Sequence, residues 1–293
     1  MEQEKYDVAV VGSGLGGLGA AALLSHWGYK ALVVEKLGRI GGRCSTEEYE
    51  GFKLPTGALT IQYVGSYLEQ IYTEVGASYE AIPVPRLFYR VAGKDYEMPP
   101  KGALGTFIDI VNQIEADRAK LAGTLAKGLD KEQLISAWRL LANEPERGAG
   151  QTFERWLLQY TDNQLIHDIF DCITSQMNGG RIYEVPASRV FAMLKGMKGF
   201  RDMVLPARGH AVNMESLAKV VRAKGDIWVN CPVKRILVSG KEAKGLVVEK
   251  DGREVEIASR VVISNAGPKA TVLLAGEDNF DEEYLRRIRV QLK

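Results

Sequence analysis

Cysteine and histidine are both scarce in this chain, three residues of each in 293. Cys44, Cys172 and Cys231 lie far apart and are odd in number, which argues against a disulfide scaffold or a thiolate metal cluster and predicts a reducing compartment. His26, His167 and His210 are equally dispersed, so no metal site is expected. Charge of one sign is also missing. Lysine and arginine number 38 against 37 acidic residues, a net charge of +1 with no long basic stripe, and nucleic acid is not an expected partner. No signal peptide precedes the first strand and no apolar run is long enough to cross a bilayer, so a cytoplasmic location is expected, with peripheral membrane contact through an amphipathic face as its variant. Repeats and low-complexity linkers are absent. The basic tail Arg286, Arg287, Arg289 and Lys293 reads as a solvated helix face, with contact to a partner or anionic surface as the sharper alternative.

What is present is concentrated at the beginning. The β-branched run Val8–Val11 suits a parallel strand buried on both faces, and Leu18–Trp27 is an alanine- and leucine-rich helix that Gly28 terminates. Between them stands GSGLGGLG, in which Gly12, Gly14 and Gly17 give the GxGxxG spacing. The first glycine permits the tight turn, the second lets backbone approach a pyrophosphate, and the third lets helix pack closely on strand. The helix N-terminus is thereby aimed at negative oxygen. A second strand, Ala31–Val34, ends at Glu35, about twenty residues on, where a carboxylate can accept hydrogen bonds from ribose hydroxyls and disfavours a 2′-phosphate. Gly41 and Gly42 would let backbone pass a diphosphate while Arg43 pairs with it or braces the turn. Arg39 is the competing phosphate ligand. The pattern points to a dinucleotide, and the GGR sequel favours FAD over nicotinamide.

Further along, residues 45–98 read as loops and strands with a helix over Tyr63–Val75, covering the cofactor. From 102 to 204 helical spacing dominates, over Phe107–Leu121, Lys131–Leu141, Thr152–Gln159 and Asn163–Ser175. Strand–helix alternation then returns: a helix over Ala211–Ala223, strands Ile227–Val229 and Arg235–Ser239, a hairpin of Gly245–Lys250 with Glu254–Ile257, and a strand Arg260–Ser264. The expected architecture is α/β, a discontinuous Rossmann-like FAD-binding domain (1–101 and 205–293) with a mainly helical insertion (102–204) serving a substrate or partner.

These residues carry a family resemblance. The run from Val10 to Thr46 resembles the opening of phytoene desaturase-like and flavin amine-oxidase-like FAD oxidoreductases, especially carotenoid desaturases, carotene isomerases and retinol saturases. The segments LPTGAL, GDIWVNCPVKRI and VVISNAGP follow in the order the family uses. The resemblance implies that Gly12, Ser13, Gly14, Gly17, Glu35, Lys36, Gly41, Gly42 and Arg43 bind the dinucleotide, with Gly57 and Ala58 near the flavin and Asn265 on the returning segment. It implies that the Val233 main chain contacts adenine. Two departures stand out. Pro206-Ala207-Arg208-Gly209-His210 has one glycine where the family has a pair, and no late glycine-rich segment follows Lys269. A missing C-terminal portion, a completing subunit in a heteromeric complex, or loss of catalysis would each account for the latter.

No catalytic side chain stands out, as suits a reaction whose difficult chemistry is carried by a flavin. His210 and Arg208 are active-region candidates at the crossing between regions. Asp168 and Asp171 beside His167 suggest either ordinary surface electrostatics or a proton-transfer site. Cys44 reads as a small packed residue. Apolar residues of the insertion, among them Phe153, Trp156, Phe170 and Phe191, would form a core or a cleft for an extended substrate, and Met193, Leu194, Met197 and Phe200 read first as core or partner packing and, as the sharper alternative, as the strongest membrane-entry candidate. The expected function is oxidation or reduction of a carbon–carbon bond in an apolar, isoprenoid-like substrate. Flavin-dependent isomerisation, amine oxidation, a half-site FAD-binding subunit and a nicotinamide enzyme are the alternatives.

Overall fold

The computed structural model describes residues 5–59, 61–63, 65–84, 86–91, 93–98, 104–122, 130, 132, 136, 150–196 and 203–291. Contacts divide the chain into two units, one formed by 1–82 with 204–293 and the other by 83–203.

The first unit is organised by β1 (Lys5–Val11), whose alternating side chains feed two cores. Val8 and Val10 point to one face, with Ala31 and Val33 of β2 (Ala31–Val34), and meet Leu18, Ala21 and Ala22 of α1 (Leu15–His26). Tyr72 of α2 (Tyr67–Glu74) and Met214, Leu217 and Val221 of α7 (His210–Arg222) complete that layer. Ala9, Val11, Leu32 and Val34 point to the other face, against Cys231, Ile236, Leu246, Val248 and Ile257. A strand flanked this way is apolar at every position, which is why both strands read as continuous hydrophobic runs. Each fully buried leucine or valine contributes roughly 1.5–3 kcal/mol.

The six-stranded sheet has the order β10-β2-β1-β13-β12-β11. Strand β10 (Asp226–Trp228), β2, β1 and the second half of β13 (Arg253–Ser264) run parallel, whereas β11 (Val233–Ser239), β12 (Glu242–Lys250) and the first half of β13 form an antiparallel meander. Strand β13 therefore changes partners midway. Residues 253–258 pair with β12 and 258–264 with β1, so among the described residues 259–264 are paired on one side only. The sequence reading splits this strand into two, and the structure joins them through Ala258 and Ser259. Smaller pieces complete the unit: the hairpin β3 (Thr46–Tyr49) and β4 (Phe52–Pro55), and the short strands β5 (Ile61–Gln62), β6 (Ile82–Pro83) and β9 (Met203–Leu205), ordered β5-β9-β6. Helix α8 (Pro268–Ala275) follows β13, and Val272 packs with Leu285 and Ile288 of α9 (Glu282–Gln291).

The second unit holds the hairpin β7 (Leu87–Val91) with β8 (Lys94–Met98) and helices α3 (Leu104–Ala122), α4 (Phe153–Leu157), α5 (Gln164–Asn178) and α6 (Ala187–Gly196). Its core stacks Phe153 on Trp156 at 5.4 Å, with Phe191 edge-on to Trp156 at 4.8 Å. Tyr96 of β8 packs into this core and donates its hydroxyl to Asp117 of α3 at 2.9 Å. The hairpin therefore belongs with the helices, which places the unit boundary at residue 82 rather than 101. Of the expected helix Lys131–Leu141 all but Glu132 and Ser136 lie outside the described residues, as do the side chains of Met193, Leu194, Met197 and Phe200.

Among the described residues no group of histidine, cysteine and acidic side chains could hold a metal, and no helix is long and apolar enough to cross a membrane.

Candidate dinucleotide site

The site is assembled where parallel strands end. Glycine 12 follows β1 with φ +90° and donates its N–H to Val34 O at 2.8 Å, so the turn closes directly onto β2. Helix α1 starts at Leu15, three residues earlier than its apolar pattern indicates, and Gly14 at its N-cap offers no side-chain cap. The first-turn amides are thus left for an anionic oxygen. Gly17 lies behind the turn: a Cβ there would stand 2.1 Å from Gly12 O, so only glycine lets α1 seat on β1.

A cleft of about 1160 Å³ opens over this turn. Of the residues expected to bind the cofactor, Gly12, Gly14, Glu35, Lys36, Gly41, Gly42, Arg43, Gly57, Ala58, Val233 and Asn265 line it. Ser13 and Gly17 do not. Ser13 is wholly buried and bonded to Glu35, so both residues support the wall rather than form it.

Four segments are tied by backbone to the turn, directly or through the GGR loop and the end of β2. Gly41 donates to Ser13 O at 2.9 Å and forms a bridge with Gly14, bringing the GGR loop alongside the helix N-terminus. Ala58 donates to Arg43 O at 2.8 Å, and a Cβ on Gly57 would stand 2.7 Å from the same oxygen, so the glycine permits this close approach. Asn265 donates its backbone N–H to Val11 O at 2.8 Å, and its side chain lies against Gly14 and Gly16. Cys231 donates to Glu35 O at 2.8 Å, which sets Pro232 and Val233 beside the end of β2.

The charges divide cleanly. Arg39, the competing phosphate ligand, is engaged by Glu47 at 2.8 Å and by Gly42 O at 3.0 Å. Among the described residues no carboxylate pairs with Lys36 or Arg43, and both stand exposed on the cleft. Glu35 is 5% exposed and already bonded three times, by Ser13 N, Ser13 Oγ and Leu37 N at 2.9, 2.7 and 2.9 Å. The site thus offers helix amides, two free cations and one oriented carboxylate.

Other sequence candidates fall elsewhere. Arg208 is paired with Glu80, its Nε at 2.7 Å from the carboxylate, and does not line the cleft. His210 is buried, with Nε2 at 3.3 Å from Leu59 O and Nδ1 unpartnered among the described residues. Burial holds its imidazole below the ordinary histidine range, opposed by hydrogen bonds to Leu59 and Ala58. His167 approaches Thr161 O at 2.9 Å, Asp171 binds Ile182 N and Arg181, and Asp168 accepts from Gln164, so the three are held in structural bonds. Burial pushes the Cys44 thiol up to about 11, which keeps it inert although it lines the cleft. The sequence reading missed Thr56 and the apolar wall of α8, Ala270, Leu273 and Leu274. Leu273, 77% exposed among the described residues, leaves an apolar side chain facing the cleft, a feature that its sequence surroundings do not announce.

A parallel sheet with a glycine turn at the carboxyl end of its first strand defines a Rossmann-like dinucleotide-binding protein. Residues 10–75 match the profile of the NAD(P)-binding Rossmann-like domain. The chain is 26% identical to an inactive all-trans-retinol 13,14-reductase of Danio rerio, over 98% of its own length and 52% of that protein. It is 24% identical to a 4,4′-diapolycopen-4-al dehydrogenase of Metabacillus indicus, over 94% and 59%. A putrescine oxidase structure superposes with a TM-score of 0.69 at 20% identity, covering 97% of this chain and 63% of that one. A Rossmann-like dinucleotide-binding region is thus shared with these proteins, and the chain spans about half to three-fifths of the length of these curated relatives.

Proposed function

We propose that this chain binds FAD and contributes to oxidoreduction at a carbon–carbon bond of an apolar, isoprenoid-like substrate. The observation that carries the reading is the convergence on one cleft of the uncapped α1 N-terminus, the Glu35 carboxylate, and Lys36 and Arg43, which no carboxylate pairs among the described residues. The residues present fit the group. The helix amides and the Gly41–Arg43 loop take the diphosphate, Glu35 takes the adenosine ribose, and the Val233 main chain and the apolar α8 face take the adenine side. Gly57 and Ala58 lie at the part of the cleft beyond Arg43, towards the flavin in this reading. Two-electron oxidoreduction is the chemistry that FAD supplies when bound. The chain's own part is to hold the diphosphate with helix amides and exposed cations and to read the ribose with Glu35. The likeness along most of the chain to an inactive all-trans-retinol 13,14-reductase and to a 4,4′-diapolycopen-4-al dehydrogenase supports the substrate class.

A half-site reading rests on a separate observation, the 52% and 59% of the relatives' length that this chain spans. In it the chain holds FAD and a completing polypeptide supplies the remaining surface. Titration with FAD and with NAD, followed by absorbance and calorimetry, tests both. FAD binding with preference over NAD is expected, and preference for NAD would sink the assignment. Bleaching of the bound flavin by an isoprenoid substrate favours the enzyme, whereas FAD uptake only after a companion is added favours the half-site. Glu35→Ala is expected to weaken FAD in a protein that still folds.

A further inference from the structure

We infer that Ser13 is the positioning residue that makes Glu35 a reader of a single ribose hydroxyl. The inference rests on the dinucleotide reading and adds to it a residue that touches no part of the cofactor.

Ser13 sits inside the glycine turn and is completely buried, as Glu35 nearly is. Its backbone N–H and its hydroxyl both donate to the same carboxylate atom, Glu35 Oε2, at 2.9 and 2.7 Å. The hydroxyl oxygen in turn accepts from Gly41 N at 3.2 Å, while Ser13 O accepts from the same N–H at 2.9 Å. One side chain thus joins the turn, the end of β2 and the GGR loop. Glycine or alanine in this position would satisfy the turn's backbone but could not make the side-chain bonds.

The count of acceptor sites gives the consequence. An ionised carboxylate offers about four lone-pair positions. Ser13 fills two, and Leu37 N fills one on Oε1 at 2.9 Å, which leaves one for a ligand on the cleft side. A carboxylate free to rotate could clamp both ribose hydroxyls, but this one is fixed by three protein donors and can accept one. Charge-assisted bonds of this kind are short and directional, so the carboxylate plane is set before ligand arrives.

The test is calorimetric titration of the 293-residue protein with ADP, 2′-deoxy-ADP and 3′-deoxy-ADP. For the wild type, removing one of the two hydroxyls is expected to weaken binding about tenfold and removing the other by less than about threefold, the usual span for a hydrogen bond to a charged group. In Ser13→Ala the larger loss is expected to shrink below about threefold, because the two backbone donors that remain, Ser13 N and Leu37 N, leave a second acceptor position open on the carboxylate. A residue that merely stabilises the turn would weaken all three ligands alike and leave their ratio intact, and that result would overturn the inference while leaving the dinucleotide reading in place. Equal losses for both hydroxyls in the wild type would likewise overturn it. Absence of ADP binding to the folded wild type would overturn both readings together. Ser13→Cys, which keeps the buried volume but donates poorly, serves if the alanine variant does not fold, with the same loss of preference expected.

Discussion

The two units hold their shape by different physics. In the first, backbone hydrogen bonds and glycines bring five separate segments to one cleft, where Ser13 and Glu35 bond to each other while Lys36 and Arg43 have no carboxylate partner among the described residues. In the second, the centre is a cluster of rings, Phe153, Trp156, Phe170 and Phe191, with polar groups such as Asp171 and His167 spent on local bonds. Packing tolerates substitution in proportion to volume, whereas a backbone-built cleft fails where an atom cannot be placed. The contrast predicts which changes remove stability and which remove binding.

The largest effect is expected from Phe153→Ala, which empties the middle of the ring cluster. A loss of about 3–5 kcal/mol in denaturant unfolding is expected, and ADP affinity measured on the fraction still folded should not change. A fall in affinity equal to that of a cleft variant would break the division between the units. Gly17→Ala comes next. Its methyl would meet the Gly12 carbonyl, a backbone atom that cannot step aside, and about 1–3 kcal/mol of stability is expected to go together with dinucleotide binding. Gly14→Ala sharpens the point, because its methyl meets only the end of the Asn265 side chain and should cost binding more than stability.

Arg43→Ala should weaken FAD by about tenfold, with the loss shrinking as salt is raised and unfolding unchanged, since the guanidinium is exposed. The smallest effect concerns pH. His210 has a folded-state pKa below its unfolded value, so the native state binds fewer protons and its stability is fully present above the unfolded pKa of about 6.5. It is lost as pH falls through the folded pKa. Unfolding curves at about pH 7.5 and pH 5 should therefore show a larger acid loss for the wild type than for His210→Gln.

Much of the first unit was legible because its physics is local. The β1 run, the glycine spacing and the carboxylate at the end of β2 are each written within a few residues, and the turn geometry links them without need of the rest of the chain. What was hidden is non-local. Arg208 meets Glu80 across 128 residues of sequence, which withdraws it from phosphate binding, and no pattern around Arg208 announces this. Arg39 and Arg43 look equivalent in sequence, yet Glu47 of the β3 strand claims the first. The hairpin of β7 and β8 carries no helical periodicity and so reads as part of the sheet region, whereas burial of Tyr96 assigns it to the helices. Strand β13 was divided because the small residues Ala258 and Ser259 interrupt its β-branched run at the place where its pairing partner changes.

That change of partner also leaves a strip of backbone from Ser259 to Ser264 whose outer N–H and C=O groups meet no strand among the described residues. Such a strip is a template for intermolecular pairing. Val261 is 49% exposed, and between it and Ser264 there is neither a proline nor a charged side chain to discourage addition of another chain. Arg260, exposed within the strip, is the one charge there to oppose such addition, and pairing of a second copy at this rim would be read as concentration-dependent self-association.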